Sequence, residues 1–439
     1  MGYQEYMEER AKRTEWFLDA RFGMFIHWGL YAIPGRGEWI QSYEETSKKD
    51  YETYFEEWNP DRYDPKEWAR IAKQAGMKYA VLTTKHHEGF CLFDSAYTEF
   101  KSTNTPCGRD LVREFVDAFR AEGIRVGFYY SLLDWHHEDY PAYGDMYHPE
   151  RNNEALKGKQ HDFNVYLDYM HNQVRELLTN YGKIDIIWFD FSYEGHFGKD
   201  WRGEELIKMV RELQPGIIIN GRLEANGEDY GTVMTDEPSI YSGDFACPEM
   251  IIPPYGLKTP NGVQIPWEAC FTLNNNWGYT PNDKHYKTAS QIIKKLVECT
   301  SKNGNMIINI SPTAKGEIPR QQKEILREVG EWMHENSESI YGCGASGFEK
   351  PEWGRYTRKG NKLYAHVTEE VIGAIALPGV NGMVEKARRL SDGYEMLLLT
   401  PWVAKEFPGY AFVNYGTPEC FSFSVEEKTD TVIELTLKR

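Results

Sequence analysis

From residue 20 to about residue 340, short apolar runs take turns with longer stretches whose apolar residues recur at helical spacing. Residues 24–28, 79–84, 125–130, 184–189 and 217–220 are compact and almost continuously apolar. That is the pattern of strands buried on both faces of a parallel sheet. Between them the spacing predicts helices. Trp68, Ile71, Ala72 and Ala75 fall at i, i+3, i+4 and i+7, and Gly76 ends that helix. Leu111, Phe115 and Phe119 line the next, with Asp110 placed to cap its first turn. Phe163, Tyr166, Met170, Val174 and Leu177 share one face of a long third helix. Leu206, Met209, Val210 and Leu213 mark a fourth, stopped by Pro215. Strand and helix alternating in this way build a parallel sheet covered by helices.

The alternation lapses over residues 222–282, where prolines at 238, 248, 253, 254, 260, 266 and 281 break the chain into loops. One candidate strand, 267–273, lies inside this region. A stretch this long without regular structure is usually functional or disordered, and the aromatic residues that run through it favour a functional one. The pattern resumes with a helix carrying Ile292, Ile293, Leu296 and Val297, a strand at 306–310 and a helix at 321–335. From Gly344 the texture changes to short β-like runs at 362–367, 371–377, 411–415 and 431–438. In the last, Ile433, Leu435 and Leu437 alternate with Glu434, Thr436 and Lys438, as in a small antiparallel sandwich.

A net charge of −17 argues against nucleic acid and anionic membranes as partners, because it repels phosphates. No run approaches the roughly 18 apolar residues of a membrane span. The first ten residues are charged and lack the apolar region of a signal peptide, so a cytoplasmic protein is expected. Cysteines at 91, 107, 247, 270, 299, 343 and 420 form no CxxC pair, which predicts free thiols.

Each predicted strand delivers polar or aromatic side chains at its C-terminal end. The first brings His27, then Glu38 and Trp39. The second brings His86 and His87, which would point to opposite sides if the segment stays extended. The third brings Tyr129 and Tyr130, then Asp134, His136 and His137. The fourth brings Trp188 and Asp190, which share a parity and hence a face, and the fifth brings Arg222. In a barrel these ends ring one mouth. Carboxylates there, aromatics to stack on a ring and His/Arg donors to hold hydroxyls point to sugar chemistry. A glycosidase needs two carboxylates. Asp190 is the first; the second is expected from the irregular region, where Glu237, Glu249 and Glu268 are the candidates.

These residues fall in blocks that resemble the α-L-fucosidases of glycoside hydrolase family 29. The blocks are Phe22-Gly-Met-Phe-Ile-His-Trp-Gly-Leu-Tyr31, Thr84-Lys-His-His-Glu-Gly-Phe90, Trp188-Phe-Asp190, Trp267-Glu268, Asn275-Asn-Trp-Gly-Tyr279 and Lys302-Asn-Gly-Asn-Met-Ile-Ile-Asn-Ile310. The resemblance implies an irregular (β/α)8-like barrel, here residues 1–343, and a C-terminal antiparallel β-sandwich, residues 344–439. It implies a retaining, exo-acting enzyme for terminal α-L-fucose, without metal or organic cofactor. The nucleophile position matches Asp190. Sugar-binding positions match His27, Glu38, Trp39, His86, His87, Tyr129, Trp188, Arg222 and Trp277. Gly243-Asp-Phe-Ala-Cys-Pro-Glu-Met250 matches the acid/base segment in part and selects Glu249 over Glu237 and Glu268.

The expected partner is a fucosylated oligosaccharide or glycoconjugate, and an oligomer is compatible with the sequence. Two other readings compete. A metal-dependent barrel hydrolase could draw on His27, His86, His87, His136 and His137, although none shows HxH or HExxH spacing. A non-catalytic fucose-binding protein would keep the aromatics and donors but has no need of both carboxylates.

Overall fold

The computed structural model describes residues 3–414 and 429–438. Seven strands form the first sheet: β1 (Phe22–Ile26), β2 (Tyr79–Lys85), β3 (Arg125–Ser131), β4 (Ile186–Asp190), β5 (Ile218–Ile219), β6 (Glu268–Thr272) and β7 (Asn305–Ile310). Their spatial order is β5-β4-β3-β2-β1-β7-β6, and every neighbouring pair is parallel. Intervening helices cover the outer face. Pro65–Gln74 starts where Asp64 accepts from the Lys66 and Glu67 amides, and Leu111–Ala121 starts where Asp110 accepts from Arg113 N.

Alternation along the strands divides the side chains into two cores. Met24, Leu82, Val126, Phe128, Ile187, Phe189, Met306 and Ile308 point outward and pack under the helices. Phe25, Val81, Tyr129, Ile186, Trp188, Cys270 and Ile307 point inward and pack on one another. The N-terminal helix Tyr3–Ala20 closes the lower end, with Phe17 lying 5.4 Å from the ring of Tyr79 and 4.8 Å from that of Phe245. The inward residues grow polar toward the strands' C-terminal ends: Phe25 gives way to His27, Ile186 to Trp188 and Asp190, and Ile307 to Asn309. The site is therefore the open end of a packed interior.

The irregular region supplies the missing stave of the ring. Residues 244–250 form parallel bridges to Asn220 on one side and to Trp267 and Cys270 on the other. Gly221 N donates to Phe245 O, Ala246 N to Pro266 O, Glu268 N to Ala246 O and Cys270 N to Pro248 O. The segment bridges β5 and β6 without becoming a continuous strand. Pro248 lacks an amide hydrogen, and Met250 turns into the left-handed region at φ 55°. Its start is pinned by the buried Asp244 carboxylate, which accepts from Arg13, Arg211 and Ile219 N. Gly243 precedes it because a Cβ there would lie 2.3 Å from Asn220 O.

The fifth strand is shorter than the expected 217–220. Asn220 turns its side chain onto β4 instead, accepting from Phe189 N and donating to Phe189 O, and so replaces the backbone ladder at that point.

From Gly344 onward the described residues form an antiparallel sheet of eight strands: β8 (Gly344–Ala345), β9 (Gly354–Lys359), β10 (Lys362–Val367), β11 (Ile375–Pro378), β12 (Val384–Arg389), β13 (Glu395–Leu399), β14 (Tyr410–Asn414) and β15 (Thr431–Leu437). The first part of β13 pairs with β12 and its second part with β14, so the sheet folds over into two layers. Leu363, Ile375, Val413, Ile433 and Leu435 fill the core between them. The run expected at 371–377 begins only at Ile375, because Gly373 bends the chain at φ 88°. Of the run expected at 411–415, Tyr415 lies outside the described residues, as does Cys420. The six described cysteines are free.

Candidate active site

A pocket at the barrel mouth is lined by Phe25, His27, Glu38, Trp39, His86, His87, Tyr129, Trp188, Asp190, Phe191, Arg222, Glu249, Cys270 and Trp277. All eleven site residues proposed from the sequence are among them. Three lining residues, Phe25, Phe191 and Cys270, were missed. Phe191 carried a usable signal, since it directly follows Asp190.

Two carboxylates share one guanidinium. Arg222 follows β5 in a short 3-10 turn and donates from Nη1 to Asp190 Oδ1 at 2.9 Å and from Nη2 to Glu249 Oε2 at 2.5 Å. Its guanidinium lies 4.8 Å above the Trp188 ring. The facing carboxylate oxygens are thus no farther apart than one guanidinium fork and two hydrogen bonds. Tyr129 OH donates to Asp190 Oδ2 at 2.8 Å. Burial, with the Asp190 charge beside it, holds that phenol far above its usual range, so it stays a donor. Asp190 and Glu249 are each followed by a residue with positive φ, Phe191 at 78° and Met250 at 55°.

The histidine tautomers follow from their partners. Asn309 Nδ2 donates to Trp277 O, which leaves Asn309 Oδ1 to accept from His27 Nδ1 at 2.7 Å. Ser131 Oγ donates to Leu133 O and so accepts from His87 Nδ1 at 2.6 Å. Both rings therefore keep a free Nε2 lone pair, able to accept from a sugar hydroxyl. Burial pulls His27 down to about 4 and His86 and His87 well below the usual range, so all three are neutral at pH 7. His86 Nδ1 is buried without a protein partner. Glu38 accepts from Gly278 N at 2.8 Å, which ties it to the Trp277 loop, and burial raises its carboxyl.

His86 and His87 do not point to opposite sides. β2 ends at Lys85 and the chain turns, with Gly89 N donating to His86 O, so both rings face the pocket 4.0 Å apart. Tyr130 lies outside the barrel, bonded to Gln173. Asp134 pairs with the buried Lys85 at 2.8 Å and accepts from the His136 and His137 amides. His136 stacks on Phe100, and His137 packs on Tyr169. Among the described residues, no three His, Cys, Asp or Glu side chains are arranged to hold a metal ion.

The three candidates for the second carboxylate separate clearly. Glu249 opens into the pocket. Glu237 is exposed beside Tyr6 and Arg211, outside the barrel mouth. Glu268 is fully buried within the barrel and accepts from Tyr79 OH. Burial pushes Glu268 up to about 8 from 4.5, so it is protonated in the folded protein at neutral pH. Its contribution to stability is full below about pH 4.5 and is lost as pH rises toward 8. Glu268→Gln should therefore gain a few degrees in Tm over the wild type at pH 8 relative to pH 5. A Tm difference that does not change with pH would contradict this protonation state.

A family model described as alpha-L-fucosidase matches residues 2–338. Alpha-L-fucosidase isoenzyme 1 from Paenibacillus thiaminolyticus superposes with a TM-score of 0.93 at 58% identity, covering 98% of this chain and 100% of that one. A family 29 alpha-L-fucosidase from Bacteroides thetaiotaomicron was trapped as a covalent intermediate with 2-fluoro-fucosyl fluoride in a glutamate-to-glutamine variant. It superposes at 0.80 with 31% identity, covering 98% of this chain and 96% of that one. The tissue alpha-L-fucosidase of Homo sapiens is 30% identical over 381 residues, 80% of this chain and 74% of that protein.

Proposed function

The chain belongs to the α-L-fucosidase family, and from that membership we propose that it releases terminal α-L-fucosyl residues by double displacement, with Asp190 as nucleophile and Glu249 as acid/base. The observation that carries this assignment is the Arg222 fork, which holds both carboxylates at one pocket lined with neutral histidines.

In the first step an Asp190 oxygen forms a bond to the anomeric carbon as the glycosidic C–O bond breaks, and the leaving oxygen takes the proton of Glu249. In the second step Glu249 removes a proton from water, the water oxygen bonds to the anomeric carbon, and the Asp190 ester bond breaks. Retaining enzymes of this kind hold their carboxyl groups about 5–5.5 Å apart, which the shared guanidinium accommodates.

His27 and His87 accept from ring hydroxyls, Glu38 adds a further polar contact, and Trp277 with Phe25 supplies an apolar wall. Fucose suits that wall, because it carries a methyl group where other hexoses carry CH2OH. The glutamate-to-glutamine variant that trapped the Bacteroides intermediate supports a glutamate as the group that turns the intermediate over.

The reading is tested by following an aryl α-L-fucoside by NMR, beside α-1,2, α-1,3, α-1,4 and α-1,6 fucosides. The first product should be α-fucose; β-fucose would mean inversion and would exclude a covalent intermediate. Asn309→Ala should lower kcat/KM on the aryl fucoside roughly 10-fold, because His27 loses the bond that sets its tautomer. Unaltered kcat/KM would remove that constraint from the account.

A further inference from the structure

Phe191 has φ at +78°, a conformation that glycine adopts freely and an aromatic residue rarely does. Strain of this kind persists where the surroundings hold it and the side chain is used. The Phe191 ring is held by aromatic neighbours, 5.0 Å from Trp39, 5.1 Å from His87 and 4.8 Å from Tyr147. It also marks a boundary. An outer cleft continues from the pocket, and the residues lining both are Asp190, Phe191, Arg222 and Glu249. The other three are the charged groups assigned above to the chemistry, so Phe191 is the apolar surface at the junction. The cleft runs past Tyr147 and Tyr230 to Asn226 and Asp229. Glu249, which protonates the leaving group, lines it too.

We propose that Phe191 is the platform on which the first sugar of the leaving group rests, and that it selects pyranose leaving groups over small ones. A pyranose offers an apolar C–H face to the ring and hydroxyls to Asn226 and Asp229 across the cleft. This rests on the assignment of the inner pocket to fucose. A strained phenylalanine here is the specificity-determining residue of the leaving-group side.

The test compares kcat/KM on a neutral fucosyl disaccharide with that on α-L-fucosyl fluoride, whose leaving group is too small to reach the ring. Phe191→Gly relieves the strain but removes the platform, and Phe191→Leu keeps bulk without a flat face. In both, the loss on the disaccharide should exceed the loss on the fluoride by about 10-fold. Phe191→Tyr should keep the wild-type ratio of the two substrates. Equal losses on both substrates would overturn the proposal and leave Phe191 as a residue that only positions Asp190. Turnover of neither substrate by the wild type would refute the fucosidase assignment itself, and the platform with it.

Discussion

Asp190→Ala is expected to lower kcat on an aryl α-L-fucoside by at least about 10⁴-fold, with added azide restoring part of the lost turnover. The side chain ends β4 on the inward face, one oxygen fixed by Tyr129 and the other by Arg222. Removing it leaves two donors around a space that suits a small anion. Azide bound there would attack the anomeric carbon from the face Asp190 now uses, in a single displacement. The product should therefore be the β-fucosyl azide. No other carboxylate can take over in place. Glu38 is bound to Gly278 N, and Glu268 is sealed inside the barrel. Activity that survives Asp190→Ala would remove this residue from the mechanism.

Glu249→Gln should show its effect through the leaving group. On a fucosyl disaccharide, whose departing oxygen needs a proton, kcat should fall by about 10³–10⁴-fold. On an activated aryl fucoside the first step should survive and the second should stall, giving a burst followed by slow release. In Glu249→Ala, azide entering where the Glu249 carboxylate stood would capture the intermediate from the opposite face and give the α-fucosyl azide. The two alanine variants thus predict azides of opposite configuration, which separates nucleophile from acid/base without reference to rate. A uniform loss on both substrates, with no burst, would contradict the role given to Glu249.

The parts of this site that could be read from the sequence are those set by local periodicity. Trp188 and Asp190 share a parity in an apolar run, and both face the pocket because strand alternation is a property of the backbone. Asp110 caps a helix for reasons contained within a few residues. His86 and His87 were placed at the right strand end but with the wrong relation, because alternation stops where β2 gives way to a turn. Asp134, His136 and His137 carry the same chemistry as true pocket residues, yet the buried Lys85 draws Asp134 inward and turns the two histidines away from the mouth. The stave at 244–250 was the least legible. Its hydrogen bonds run to residues distant in sequence, Pro248 interrupts it, and no period of two marks its side chains. Only the match of 243–250 to a family segment singled out Glu249. Strands β8, β9, β12 and β13 were not anticipated; β12 reads Val-Glu-Lys-Ala-Arg-Arg, a solvated face with few apolar positions.

The central claim is that Asp190 becomes covalently bonded to fucose, and peptide mapping tests it most directly. The enzyme, or its Glu249→Gln variant, is incubated with 2-fluoro-fucosyl fluoride, whose fluorine at C2 disfavours the charged transition state of both steps while fluoride departs without an acid. After digestion, tandem mass spectrometry should find one 2-fluoro-fucosyl group on the peptide that contains Asp190, attached at Asp190. A label on Glu38 or Glu249, or turnover of the reagent with no covalent adduct and inverted product, would contradict it.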